Sequence, residues 1–217
     1  MAIRASLAHP LLLLAMLAVA RATPIVDQQF LGEGDEASLL AEGDAYVGQV
    51  VTAGITGSLV RVELNAERMP DFSDPWVLDI EAVSNALPNG IILSSTIISP
   101  QNFPTGTLFS SPVPPLPLVV TLTAPVFFDA GDPFAIVLHP QGVTGSPGLF
   151  AGEWVGSDTA FYPGGVAVAG PDAAHLSKPP PSPTPFSLQF RTWVNTPEPS
   201  TLVLAALGGL AVLMRRR

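Results

Sequence analysis

The sequence contains no cysteine. Disulfides and thiolate metal centres are therefore excluded. Charge is also scarce: 12% of residues are Asp, Glu, Lys or Arg, against about a quarter in an ordinary soluble domain. Basic residues are the scarcer kind, with 9 Lys and Arg against 18 Asp and Glu. Arg4, Arg21, Arg215, Arg216 and Arg217 stand near the ends. Between Thr23 and Thr196 only Arg61, Arg68, Lys178 and Arg191 face 17 acidic residues, a net of −13. Such a body repels nucleic-acid phosphates and anionic lipid, so nucleic acid is not an expected partner.

Catalytic signatures are missing as well. No Gly-x-Ser-x-Gly elbow presents a nucleophile, and no phosphate-cradling glycine loop occurs; Gly208 and Gly209 belong to a terminal apolar run. The body histidines, His139 and His175, make no zinc site without further ligands, and both read as loop residues. Asp71 with Asp74, and Asp129 with Asp132, are close enough in sequence to suggest a glycosidase pair. Asp in turns more commonly bonds the local backbone, which is the reading preferred here. No catalytic residue, metal site or cofactor is expected. The acidic stretch from Asp27 to Asp44 matches no EF-hand loop and reads as solvated chain.

Proline (24) and glycine (19) are abundant instead, which favours short strands joined by turns over long helices. Period-two patterning supports this. In 57–64, Val60, Val62 and Leu64 alternate with Arg61 and Glu63. In 75–83, Trp76, Leu78, Ile80 and Ala82 alternate with Asp79 and Glu81. In 186–194, Phe186, Leu188 and Phe190 alternate with Gln189, Arg191 and Trp193. Further strands are expected near 28–30 and at 46–52, 90–98, 118–123, 133–138, 149–155 and 166–169. Turns are expected at Ala53-Gly54, Pro88-Asn89-Gly90, Asp129 to Asp132 and Pro163-Gly164-Gly165. About nine short strands without an amphipathic helix predict an all-β fold, a single antiparallel β-sandwich. The proline-rich run 178–185 reads as a stiff loop returning the last strand to its sheet.

The two ends differ from this body. Residues 1–22 have the parts of a secretory signal: Arg4, an apolar run from Leu11 to Ala20, and small residues Ala20 and Ala22 at the −3 and −1 positions, predicting cleavage before Thr23. The C-terminus reads Pro197-Glu198-Pro199, then an uncharged apolar segment at 201–214, then Arg215, Arg216 and Arg217. At ~1.5 Å per residue that segment covers about 21 Å. Ser200 and the arginine stems extend it toward a spanning length. The three arginines hold that end in the cytoplasm and place the body on the far side.

This arrangement resembles the PEP-CTERM sorting signals. The resemblance implies recognition of Pro197, Glu198 and Pro199 by exosortase, a membrane-embedded cysteine transpeptidase-like enzyme of Gram-negative bacteria. It implies transient membrane anchoring, then release or transfer of the body to the cell surface, often alongside exopolysaccharide and biofilm systems. The two prolines keep the peptide extended outside the membrane, as a protease requires.

Gly48 to Leu59, Ala130-Gly131-Asp132 with the run from Phe134 to Leu138, Tyr162 to Gly165, and Phe190 to Trp193 are similar to phrases of bacterial extracellular jelly-roll, galactose-binding-like modules. The expected organisation is a signal peptide at 1–22, an acidic lead-in at 23–44, a jelly-roll-like sandwich at 45–194 and a sorting tail at 195–217. The resulting expectation is an exported, non-catalytic surface or matrix protein whose partners are the secretion machinery and exosortase. A carbohydrate-binding module for exopolysaccharide is the alternative, with Trp154, Tyr162 (beside Phe161) and Trp193 as candidate sugar-stacking rings. A glycosidase-like enzyme comes third. Trp76, on an apolar face, reads as core.

Overall fold

Alternating side chains, frequent turns and β-branched runs give strands, and the computed structural model consists of them. It describes residues 23–32, 36–42, 46–105, 118–141, 150–177 and 186–196. The expected signal peptide, the proline-rich run, the Pro-Glu-Pro motif and the terminal apolar segment lie outside these residues. The described strands are β1 (Ile25–Phe30), β2 (Glu36–Glu42), β3 (Tyr46–Thr52), β4 (Gly57–Leu64), β5 (Ala66–Arg68), β6 (Trp76–Ser84), β7 (Leu87–Ile98), β8 (Leu118–Phe128), β9 (Pro133–Pro140), β10 (Phe150–Ser157), β11 (Ala167–Gly170), β12 (Ser187–Leu188) and β13 (Phe190–Asn195). Among the described residues the only helical turns are two 3₁₀ turns, Pro100–Asn102 and Ala173–His175.

Three antiparallel sheets result. Sheet A has the order β1-β13-β4-β8. Sheet B has β12-β10-β2, with β5 also on β10. Sheet C has β11-β3-β9-β6-β7. Sheets A and B share two kinked strands. β4 passes into β5 at Asn65, and β12 passes into β13 at Gln189. The kink is pinned where Asn65 Nδ2 donates to Gln189 Oε1 at 2.8 Å. Backbone bonds from Val155 N to Asn65 O and from Gln189 N to Val155 O lace β10 to both kinks. The last strand, expected as one piece, is therefore two.

One core joins these layers. Leu59, Val62, Leu64, Leu118, Val120, Phe190 and Val194 of sheet A meet Val47, Val51, Trp76, Leu78, Ile80, Phe134, Ile136 and Leu138 of sheet C. Of the expected inward rows, Trp76, Leu78, Ile80, Leu188 and Phe190 are buried in this core and Phe186 packs against it, while Ala82 is half-buried outside it. Thr192 is an added buried member, and Gln189, expected to face outward, is buried as well. In β4 the inward apolar series is Leu59, Val62 and Leu64, not Val60. The ladder slips between Leu59 and Arg61, and one extra residue shifts the alternation.

The middle of sheet C, around β9, is buried on both sides. Val50, Ala135, Val137, Val168 and Leu176 form a second apolar cluster on its outer face. Gly48 permits this: a Cβ there would lie 3.2 Å from Val137 and Val168 methyls and 2.7 Å from the Ile136 carbonyl.

The β6–β7 hairpin turns at Asn85-Ala86 rather than at Pro88-Asn89-Gly90. Ser84 pairs with Leu87, and both turn residues are left-handed, Asn85 at φ 52° and Ala86 at φ 64°. This backbone suits Asn-Gly. A Cβ in the left-handed region costs about 1–2 kcal/mol. Ala86→Gly is thus expected to raise unfolding free energy by roughly 1 kcal/mol, read as a higher urea midpoint at unchanged slope; an unchanged midpoint would refute this turn.

Candidate functional site

The three aromatic candidates do not converge. Trp154 is completely buried, and its Nε1 donates to Gln189 O at 2.8 Å. Its neighbours are the core, so no ring face is left for a sugar. Tyr162 is 6% exposed and meets Phe190 edge-on at 5.1 Å between centroids. Its single hydroxyl proton has two acceptors within reach, Gln28 Oε1 at 3.1 Å and Thr52 O at 3.3 Å. Burial raises its pKa, the bond to Thr52 opposing and the nearby Asp27 charge adding to the rise. Both rings therefore serve packing. Phe161, beside Tyr162, is exposed.

Trp193 lies on the outer face of sheet A, half-buried. The Arg61 guanidinium sits 3.9 Å from its ring centroid. Arg61 also reaches Glu63 at 3.3 Å, and Arg191 reaches Glu63 at 3.1 Å and Gln29 at 3.2 Å. Cross-strand pairing sets these residues in register, Trp193 opposite Arg61 and Arg191 opposite Glu63. A charged, aromatic ladder thus crosses β1, β13 and β4.

A second constellation was not expected. Asp79 and Glu81, read from the alternation as solvent-facing, are 2% and 0% exposed. They point to the outer face of sheet C, beneath the segment that carries Leu176. His139, expected in a loop, lies on β9, stacks on Tyr46 at 3.9 Å and is 9% exposed. Its Nδ1 donates to the Pro140 carbonyl at 2.9 Å, and its Nε2 lies 3.2 Å from Asp79 Oδ2. With Nδ1 occupied as donor, the second contact needs another proton, on the ring or on the carboxyl.

Glu81 sits between two register shifts of β6 against β7, and neither of its oxygens has a hydrogen-bond partner of normal geometry. Burial, reinforced by the Asp79 charge, pushes its pKa up to about 7. The nearby Gly90 amide and His139 offset this only in part. The sequence did carry a signal: the unbroken apolar run of β9, from Phe134 to Leu138, marks a strand covered on both faces.

A third pair, Glu67 and Glu153, is buried and directly cross-strand between β5 and β10. Burial, then the Glu153 charge, raises the Glu67 pKa. Asp132 Oδ2 accepts from Asp129 N at 2.9 Å, the local turn bond expected there. His175, in an exposed 3₁₀ turn, is 2.7 Å from Asp172 Oδ1 and lowers that carboxyl's pKa through the bond. Among the described residues no group of three or more His, Asp or Glu is placed to hold a metal ion.

The start of β1 and the end of β13 meet at one end of sheet A. Ile25 of β1 pairs with Val194 of β13, and Asn195 pairs with Ser58. Beyond Asn195 only Thr196 precedes Pro197. Among the described residues no helix is long and apolar enough to cross a membrane.

The body is that of an all-β protein of antiparallel sheets. Joined to it, from the last residue of β13 onward, is a PEP-CTERM protein-sorting motif, whose family model matches residues 195–217. The motif implies export, a membrane-anchored precursor and exosortase as the processing enzyme. No curated protein matches the chain.

Proposed function

We propose that this is an exported, non-catalytic protein of the cell surface or extracellular matrix, with a jelly-roll-like sandwich as its displayed body. Exosortase severs its tail at Pro197-Glu198-Pro199. The observation that carries this reading is the sorting motif beginning where a central strand of the body ends. The buried state of Asp79, Glu81, Glu67 and Glu153 favours a structural over a catalytic part for the carboxylates. Glu198→Ala is expected to move the protein from the surface or medium to the inner-membrane fraction, by about tenfold or more. Fractionation with immunodetection reads this. An unchanged distribution would reject the reading.

A second reading, a carbohydrate-binding surface for exopolysaccharide, is favoured by one feature only. Trp193, with Arg61, Arg191, Glu63 and Gln29, offers a ring and hydrogen-bonding groups on one open sheet face. Polysaccharide pull-down by wild type, lost in Trp193→Ala, is the expected result if that face binds sugar.

A further inference from the structure

The end of the sandwich where the first and last described strands meet is a built face. Four segments meet there and are cross-braced. Asp27 Oδ1 accepts from the amides of Gly54 and Ile55 at 2.9 and 2.7 Å. Thr56 Oγ1 accepts from Ala130 N at 3.0 Å. Backbone bonds join Ala53 to Gly131 and Asp132. The outgoing chain runs close over Gly57, where a Cβ would lie 2.7 Å from the Asn195 carbonyl and 3.4 Å from Thr196 Cα.

This end also exposes apolar surface. Ile25, Val26 and Phe127 are 43%, 37% and 55% exposed. Phe127 pairs with Ser58, which pairs with Asn195, so the aromatic ring's strand is two ladder spacings, about 10 Å, from the exit strand. The turn after β8 beside it is acidic, with Asp129 and Asp132 exposed, while Arg61, on the cross-strand row of Val26, is paired with Glu63.

The tether is very short. From Asn195 to Glu198 the chain spans at most about 11 Å. A membrane-embedded enzyme acting there must meet this end of the sandwich while the ladder at Asn195 is intact.

We propose that this face, with Ile25, Val26, Phe127 and Asp129, docks on the processing enzyme during cleavage, and that the short tether enforces the docking. The proposal rests on the sorting reading above. The partner surface it fits is apolar with a basic margin. An anionic bilayer is disfavoured by the acidic turn.

The test is a cycle in the producing cell, using the full chain and following loss of the tail over time by mass. Phe127→Glu and Asp129→Lys are each placed on the native tether and on a tether lengthened by about twelve Gly and Ser residues between Thr196 and Pro197. Ile97→Glu, on the exposed flank of β7, is the control. On the native tether both face variants are expected to slow cleavage by about tenfold, the size of one well-placed interface contact, with the control at the wild-type rate. On the long tether the face variants are expected to recover. Equal rates for all variants on the native tether would overturn the docking while leaving the sorting reading intact. Faster cleavage of Asp129→Lys would assign the face to anionic lipid and overturn the enzyme as its occupant. Retention of Arg217 in every variant, wild type included, would overturn both readings.

Discussion

Trp154→Ala is expected to remove about 3–5 kcal/mol of stability, a large share of the roughly 5–15 kcal/mol that holds an ordinary domain folded. Two terms add. The largest side-chain volume in β10 disappears from a site with no solvent exposure. The indole also supplies the hydrogen bond to Gln189 O, at the kink where β12 becomes β13. That carbonyl keeps the Asn65 amide at 3.3 Å, so the cavity carries most of the cost. Urea unfolding followed by far-ultraviolet circular dichroism reads the change. Trp193→Ala supplies the contrast, because its chief partner is an Arg61 cation worth about 0.5–1 kcal/mol at an exposed site. A Trp154→Ala protein as stable as wild type would contradict the core described for sheets A, B and C.

Glu81→Gln is expected to stabilise the protein at alkaline pH and to flatten its pH dependence. Glu81 has its folded pKa raised from 4.5 to about 7. Between those values the native state holds a proton that the unfolded chain has released. Stability therefore falls as pH rises from about 4.5 to about 7, and stays low above that. The shift corresponds to on the order of 2–3 kcal/mol. The physical cause is a carboxylate forced to ionise in a buried site beside Asp79, with the Gly90 amide offsetting this only in part. The His139 ring faces this site from β9, and Asp172 and His175 of the covering segment pair with each other. Glutamine cannot ionise, so its stability at pH 8 should exceed wild type while the two converge near pH 4.5. A wild-type protein whose urea midpoint rises from pH 5 to pH 8 would refute this arrangement.

Much of the fold was legible because the inward rows were apolar and the outward rows were not. Trp76, Leu78 and Ile80 on β6, and Leu188 and Phe190 on β12 and β13, lie where alternation places them. Alternation failed at irregularities. The bulge between Leu59 and Arg61 exchanges Val60 for Leu59. The kink at Gln189 divides one expected strand. The left-handed Asn85-Ala86 pair makes a turn without the glycine that would have announced it. β2 was missed because Glu36 and Glu42 make its segment look like solvated chain, and β5 because three residues carry no period.

The candidate site was legible in a different measure. Trp154 and Tyr162 were chosen as polar-handled rings near a loop, yet a buried indole or phenol needs the same handle to satisfy its own donor. Only the partners, Gln189, Gln28 and Thr52, reveal which use applies. Asp79 and Glu81 misled for the converse reason: two carboxylates on one strand face read as solvent until a distant segment covers them. The sorting motif needed no fold at all, because its information is local sequence at 195–217.

The decisive measurement is the intact mass of the mature protein recovered from the cells that make it. The expected product begins at Thr23 and ends near Pro197-Glu198-Pro199, without Arg215, Arg216 and Arg217. A product that ends at Arg217 would contradict it.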